Sequence, residues 1–192
     1  MAYLRTNMET DRIKWNSRHA EKSGHNPPDI YLKRFLNELA GPTVLDLACG
    51  RGRNAFFLAE SGFEVTAIDI SDTGLFSLHQ ENLHRKLNIQ SIQADLDEMP
   101  EILKHTKFNS VVIINFKPAK VFLREIHKLV ADNGTLLWCS FNELKSRISG
   151  FPPEMALQPS EFISFYGFKL MDYTRFTDES GERDGYFFKK IS

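Results

Sequence analysis

Cysteine is scarce in this chain and long apolar runs are missing, and both shortages narrow what it can be. Cys49 and Cys139 are the only cysteines in 192 residues. They form no C-x-x-C pair and each sits in an apolar stretch, so a disulfide framework is excluded and two small buried thiols are expected. No run of ~18 apolar residues that could span a bilayer occurs. The first thirty residues hold no apolar segment of the secretory kind either, so a cytoplasmic protein without a membrane segment is expected. An excess of one charge is also lacking: 24 Lys and Arg against 25 Asp and Glu leave a net charge of -1, which gives no general attraction to nucleic acid or anionic lipid. The six histidines, His19, His25, His79, His84, His105 and His127, show no H-E-x-x-H or comparable spacing, so no metal site is expected.

What is present is the composition of an ordinary globule, 42% hydrophobic and 26% charged, at a length that suits one domain with a real core. From Thr43 onward, apolar runs alternate with helical patterns. The runs are "TVLDLA", "EVTAIDI", "IQSIQAD", "NSVVIINF" and "GTLLWCSF", and between them "RNAFFLAES" and "AKVFLREIHKLV" carry apolar stripes at helical spacing. That alternation predicts a parallel sheet covered on both faces. Gly62, Asn88 and Asn133-Gly134 read as helix-to-strand turns. The end of the chain changes pattern: "PSEFISFYGF" reads as a short helix and "FKLMDYTRFTDESGERDGYFFKKI" as two strands closing in a hairpin. Two helices are expected before Thr43, the second stopped by Gly41-Pro42. The expected architecture is therefore α/β: a seven-stranded, mostly parallel Rossmann-like sheet with a closing antiparallel C-terminal hairpin, residues 1–42 covering a core of residues 43–192.

In such a sheet, ligands bind outside the carboxyl ends of the strands, so the residues that finish each strand carry the chemistry. The first strand runs into "DLACGRGRN", with Gly50 and Gly52 one residue apart, and Asp46, Asp69 and Asp95 lie at the ends of the first three strands. An acid about 20 residues beyond a glycine turn is placed to accept from ribose hydroxyls. Each acid could equally cap the helix that follows it. "GRGRNA" lacks the third glycine of a dinucleotide fingerprint, and Asp46 would repel a pyrophosphate while attracting an ammonium group. The turn thus favours S-adenosylmethionine, which has a ribose, an ammonium and a sulfonium but no phosphate, over a nicotinamide dinucleotide.

"VLDLACGRGRNAFFLAESGFEVTAIDIS" resembles the cofactor-binding region of class I S-adenosylmethionine-dependent methyltransferases, particularly the small ones similar to the TehB and thiopurine methyltransferase groups. The resemblance extends to "DRIKWNSRH", "NFKPAKVFLREIHKLVADNGTLLWCSF" and "LQPSEF". It implies that Asp46, Ala48, Cys49, Gly50, Gly52 and Asn54 wrap the methionine moiety, that Asp69 holds the ribose, and that Ile70 packs on the adenine. It further implies that Asp95 and the backbone at Leu96 meet the adenine edge, that Asn115 and Phe116 lie near the sulfonium and the acceptor, and that Trp15 and Arg18 fold over the cofactor as a lid. Ala48 departs from the family's usual first glycine, Asn109 stands where an acid is common, and "DNG" replaces a Pro-Gly-Gly turn.

The activity implied is in-line methyl transfer to a small-molecule acceptor, with a thiol or chalcogen oxyanion as one class. This chemistry needs no obligatory catalytic side chain; Phe116, as a wall of the acceptor pocket, and His19, as an acceptor-side base, are the candidates, with a solvated helix position the plainer reading of His19. A cofactor-binding sensor or scaffold without methyl transfer is the alternative. Glu161 in "LQPSEF" reads as part of a helix start.

Overall fold

The computed structural model describes residues 8–191 except 22, 23, 25, 98 and 160; the first seven residues of the 1–42 segment lie outside the described residues. The chain runs α1 (Met8–Ala20), α2 (Ile30–Phe35), β1 (Thr43–Leu47), α3 (Arg53–Glu60), β2 (Glu64–Asp69), α4 (Asp72–Arg85), β3 (Ile89–Gln93), β4 (Phe108–Ile114), α5 (Lys120–Glu125), β5 (Val130–Phe141), α6 (Glu143–Ser149), β6 (Phe168–Asp178) and β7 (Gly181–Lys190). All seven expected strands form one sheet in the order β3-β2-β1-β4-β5-β7-β6. The first five are parallel, and β7 pairs antiparallel with both β5 and β6. Strand order reverses between β1 and β4, which makes a crevice at their carboxyl ends.

Side-chain alternation along each strand divides the core into two layers. Leu45, Leu47, Ile68, Val111, Ile113, Leu136 and Trp138 face one side, under Phe122 and Ile126. Val44, Val65, Ala67, Val112, Ile114, Leu137 and Cys139 face the other, under α3 and α4. Helix α2 belongs to this second layer: Tyr31 and Leu32 are buried in it, and a Cβ at Gly185 of β7 would come within 2.6 Å of the Tyr31 ring. Glycine at 185 therefore lets α2 lie flat on the hairpin.

Three local expectations are corrected. The stretch 159–167 forms turns where described, and no helix. Its phenylalanines are spent on packing: Phe162 and Phe165 lie 4.3 Å and 6.4 Å from the Trp138 ring. The residue that ends α4 in the left-handed conformation is Lys86, φ 55°, rather than Asn88. Asn133-Gly134 lies inside β5 instead of before it. Phe108 pairs with Val130 but Ser110 with Thr135, so the extra β5 residues bulge outward through Asn133 at φ 62°, a conformation asparagine tolerates.

Candidate functional site

The apolar strand β1 ends in a turn that strands of L-residues rarely make. Ala48, Gly50 and Gly52 all have positive φ, at 58°, 57° and 83°. Gly52 serves as the residue before α3, whose first turn it opens. The two glycines have different reasons to be glycine. A Cβ at Gly52 would meet Leu78 of α4 at 2.6 Å, so this position is closed by packing between α3 and α4. A Cβ at Gly50 would meet the His19 ring at 3.0 Å, so this one faces the open edge of the sheet, across from α1. Ala48 carries its methyl in a conformation that costs an L-residue about 1–2 kcal/mol.

Asp69, finishing β2, fastens this turn. Its Oδ2 accepts from the Gly50 N–H at 2.7 Å and its Oδ1 from the Ser71 N–H at 2.8 Å. Burial raises its pKa, while the Ser71 and Gly50 hydrogen bonds pull it down. Two bonds leave the carboxylate with acceptor capacity to spare, so a ribose can be held as well as the turn.

Asp46 is the stronger anomaly. It is 1% exposed, and its Oδ2 is buried without a hydrogen-bond partner among the described residues. Burial pushes its pKa up to about 7; Arg53 opposes this and the charge of Asp69 adds to it. Across the strand-order reversal, Asn115 follows β4 with φ 56°, its Oδ1 also buried and unpartnered. Its N–H is tied to the Cys139 carbonyl at 2.8 Å. Buried acceptors without donors are costly, and a ligand bearing hydroxyl and ammonium donors satisfies them. The buried acceptors thus fit the hydroxyl and ammonium donors of S-adenosylmethionine, and a carboxylate among them would repel a pyrophosphate.

The remaining expected site residues divide. Ile70 and Asp95 lie at the ends of β2 and β3, joined by the Ala94 N–H bonded to the Asp69 carbonyl at 3.1 Å. The Asp95 carboxylate accepts from the Asp97 N–H at 2.9 Å, and Leu96 turns its side chain into the core, leaving its backbone to the edge. Phe116 packs on the first core layer, its carbonyl accepting from Trp138 Nε1 at 2.9 Å. Cys49 is buried, and its N–H holds the Ile68 carbonyl at 3.0 Å. Asn54 is committed elsewhere: its Oδ1 accepts from the Asp29 N–H at 3.0 Å and so anchors the start of α2.

Helix α1 rests on the start of α4. Arg12 reaches Asp72 at 2.8 Å and Asn16 Oδ1 accepts from the Ser71 hydroxyl at 2.7 Å. Arg18 lies over the Trp15 ring at 4.9 Å, and Trp15 stacks with His19 at 6.1 Å. His19 is nearly buried between Gly50 and Gly74, so it is part of the turn's wall and not a solvated helix position. Sequence reasoning missed two couplings, Asn16 with Ser71 and Lys117 with Glu161 at 2.8 Å. Glu161 also accepts from the Gln158 N–H at 3.0 Å, closing a turn and no helix. These partners are 55 and 44 residues apart, beyond any local spacing rule.

Among the described residues no group of three or more His, Cys, Asp or Glu side chains is placed to hold a metal ion, and no helix is long and apolar enough to cross a membrane.

Comparison with known proteins agrees with this geometry. Residues 44–134 match the family profile described as a methyltransferase domain. YqeM of Bacillus subtilis (strain 168), which bears the methyltransferase name provisionally, is 29% identical over 154 residues, 76% of this chain and 61% of its own length. The chain thus spans less than two thirds of that relative. Among solved structures, magnesium protoporphyrin IX methyltransferase of Synechocystis PCC 6803 with bound S-adenosylhomocysteine superposes with a TM-score of 0.72 at 15% identity, covering 96% of this chain and all 100% of the other. TehB of Haemophilus influenzae gives 0.66 at 17% identity, over 94% of this chain and 67% of its own. At these identities the structures speak for the fold.

Proposed function

We propose that this chain, which matches the methyltransferase domain profile over residues 44–134, is a class I S-adenosylmethionine-dependent methyltransferase that transfers a methyl group to a small-molecule acceptor. The observation that carries the reading is the pair of buried acids at the glycine turn, Asp69 fastened to Gly50 and Asp46 left with an unpartnered oxygen.

Bound S-adenosylmethionine supplies an activated methyl on a good leaving group, so the chain's task is binding, alignment and exclusion of water. In this reading Asp69 accepts from the ribose and Asp46 and Asn115 face the cationic methionine end. Ile70, Asp95 and the Leu96 backbone border the adenine, while Trp15, Arg18 and His19 of α1 close over the turn. Phe116, at the end of β4, walls the acceptor side. Alignment of this kind contributes about 7–11 kcal/mol to a displacement. A thiol or chalcogen acceptor, already nucleophilic, needs no protein base, whereas an amine or hydroxyl acceptor would draw on His19, whose ring lies beside Gly50.

The test begins with cofactor affinity by calorimetry. Asp69→Asn, which keeps one oxygen for either the Gly50 or the Ser71 amide and turns its NH2 toward the other, should weaken S-adenosylmethionine by about 2 kcal/mol, the scale of a hydrogen bond to a charged group. Asp69→Ala should lose that and also release the turn. Unchanged affinity in a folded Asp69→Asn variant would remove the ribose assignment. Tight binding without methyl release to any thiol, tellurite, selenite or amine would leave a cofactor sensor in place of an enzyme.

A further inference from the structure

On the edge of the sheet opposite the glycine turn, at the amino ends of β4 and β5, lies a cavity of about 370 Å³. Four lysines, Lys104, Lys107, Lys128 and Lys190, line it together with His105 and His127, and no acid does. The lining comes from three distant parts of the chain: the loop before β4, the turn after α5 and the end of β7. Only the fold assembles it. In a chain of net charge -1, this concentration of cations is local and not compositional.

The surrounding acids stand at the rim. Glu101 pairs with Lys104, Glu125 with Lys128, and Asp132 with Lys190 at 3.4 Å. The three acids are 79%, 41% and 70% exposed in their side chains, and solvated pairs of this type hold weakly. Lys190 is different, only 13% exposed, with its Nζ anchored on the Val130 carbonyl at 2.6 Å.

We propose that this cleft binds a small, multiply charged phosphate ligand of about the size of pyrophosphate. The volume lies at the low end for ligand sites, and no Phe, Tyr or Trp side chain lines it, so recognition rests on charge and N–H donors. Lysine ammonium groups suit phosphate as point charges. A dianion or trianion bridging Lys107, Lys128 and Lys190 competes with the rim carboxylates, each of which carries one charge and stays largely hydrated. The assignment is independent of the reading of the glycine turn.

The experiment is calorimetric titration with inorganic pyrophosphate at constant ionic strength, with sulfate as the control anion. Saturable binding is expected in the parent, weaker for sulfate and falling with added salt. Lys107→Glu with Lys128→Glu should weaken pyrophosphate at least about tenfold, while the thermal midpoint and S-adenosylmethionine affinity stay unchanged. Lys107→Gln alone should give an intermediate loss without adding an acid. Absence of saturable binding, equal affinity in the parent and the double variant, or sulfate bound as well as pyrophosphate would each overturn the proposal. Capture of a single-stranded oligonucleotide with no response to pyrophosphate would overturn it too, in favour of a polymer.

Discussion

At the carboxyl edge of the sheet the acids are inside, and at the amino edge the lysines of the cleft, Lys190 excepted, are outside. Asp46 and Asp69 are 1% and 6% exposed. Lys104, Lys128 and the acids they pair with all stand largely in solvent. Left-handed backbone occurs at both edges with different partners: Ala48, Gly50, Gly52 and Asn115 gather at the glycine turn and the end of β4, whereas at the amino edge Gly62 and Lys86 follow helices, Asn133 absorbs a bulge and Gly167 precedes β6. One edge stores desolvation and strain in the free protein; the other holds hydrated charges that cost little. A site that binds a cofactor by filling a prepared space is expected to look like the first, and a site that gathers ions by field like the second.

The sharpest way to break the carboxyl edge is Gly52→Val. It combines a left-handed valine with a Cβ 2.6 Å from Leu78, and should destabilise the fold by about 4 kcal/mol, read as a shifted denaturant midpoint. Gly50→Val, where the neighbour is the His19 ring, should spare more stability and mainly abolish S-adenosylmethionine binding.

Asp46 gives an effect of opposite sign. Its folded pKa of about 7 lies above the ordinary 3.8, so between those values the folded protein holds a proton that the unfolded chain has lost. Stability contributed by that proton is full below pH 3.8, falls as pH rises, and is gone above pH 7. Asp46→Asn should therefore stabilise the free protein at pH 8 by about 4 kcal/mol and leave it nearly unchanged near pH 4. The same variant should lose cofactor affinity, and parent affinity should climb as pH passes 7 and the carboxylate forms. Equal unfolding midpoints for parent and variant at pH 8 would show that Asp46 is not strained by burial.

Ala48→Gly should stabilise by about 1 kcal/mol, since relief of the left-handed alanine exceeds the added chain entropy of glycine. At the amino edge, Lys128→Ala removes an exposed pair with Glu125 and should leave the unfolding midpoint within experimental scatter. A large change there would erase the contrast between the two edges.

Much of the carboxyl edge was legible in the chain. The strand "TVLDLA" running into Gly50 and Gly52, and Asp69 some 20 residues on, located the turn, because an apolar run, glycine conformations and an acid at a strand end are local signals. The position of Asn54 in the same turn looked equivalent, yet its amide serves α2. His19 read as a surface residue because polar neighbours surround it in sequence, and only the docking of α1 on Ser71 and Asp72 carries it to Gly50. The aromatic spacing of "PSEFISFYGF" imitated a helix because rings recurring every three residues can also cover a flat core through successive turns.

By itself the sequence determined the alternation of strands and helices, the closing hairpin and the chemistry of the glycine turn, since each depends on residues adjacent or periodic along the chain. Tertiary structure decided which of those residues lose water. Asp46 and Asp69 share a buried layer beneath α3 and α4 while Lys104, Lys128 and Lys190 converge from three separate segments at the far edge. Burial and convergence depend on distances between segments remote in sequence, and those distances set both the raised pKa of Asp46 and the field of the basic cleft.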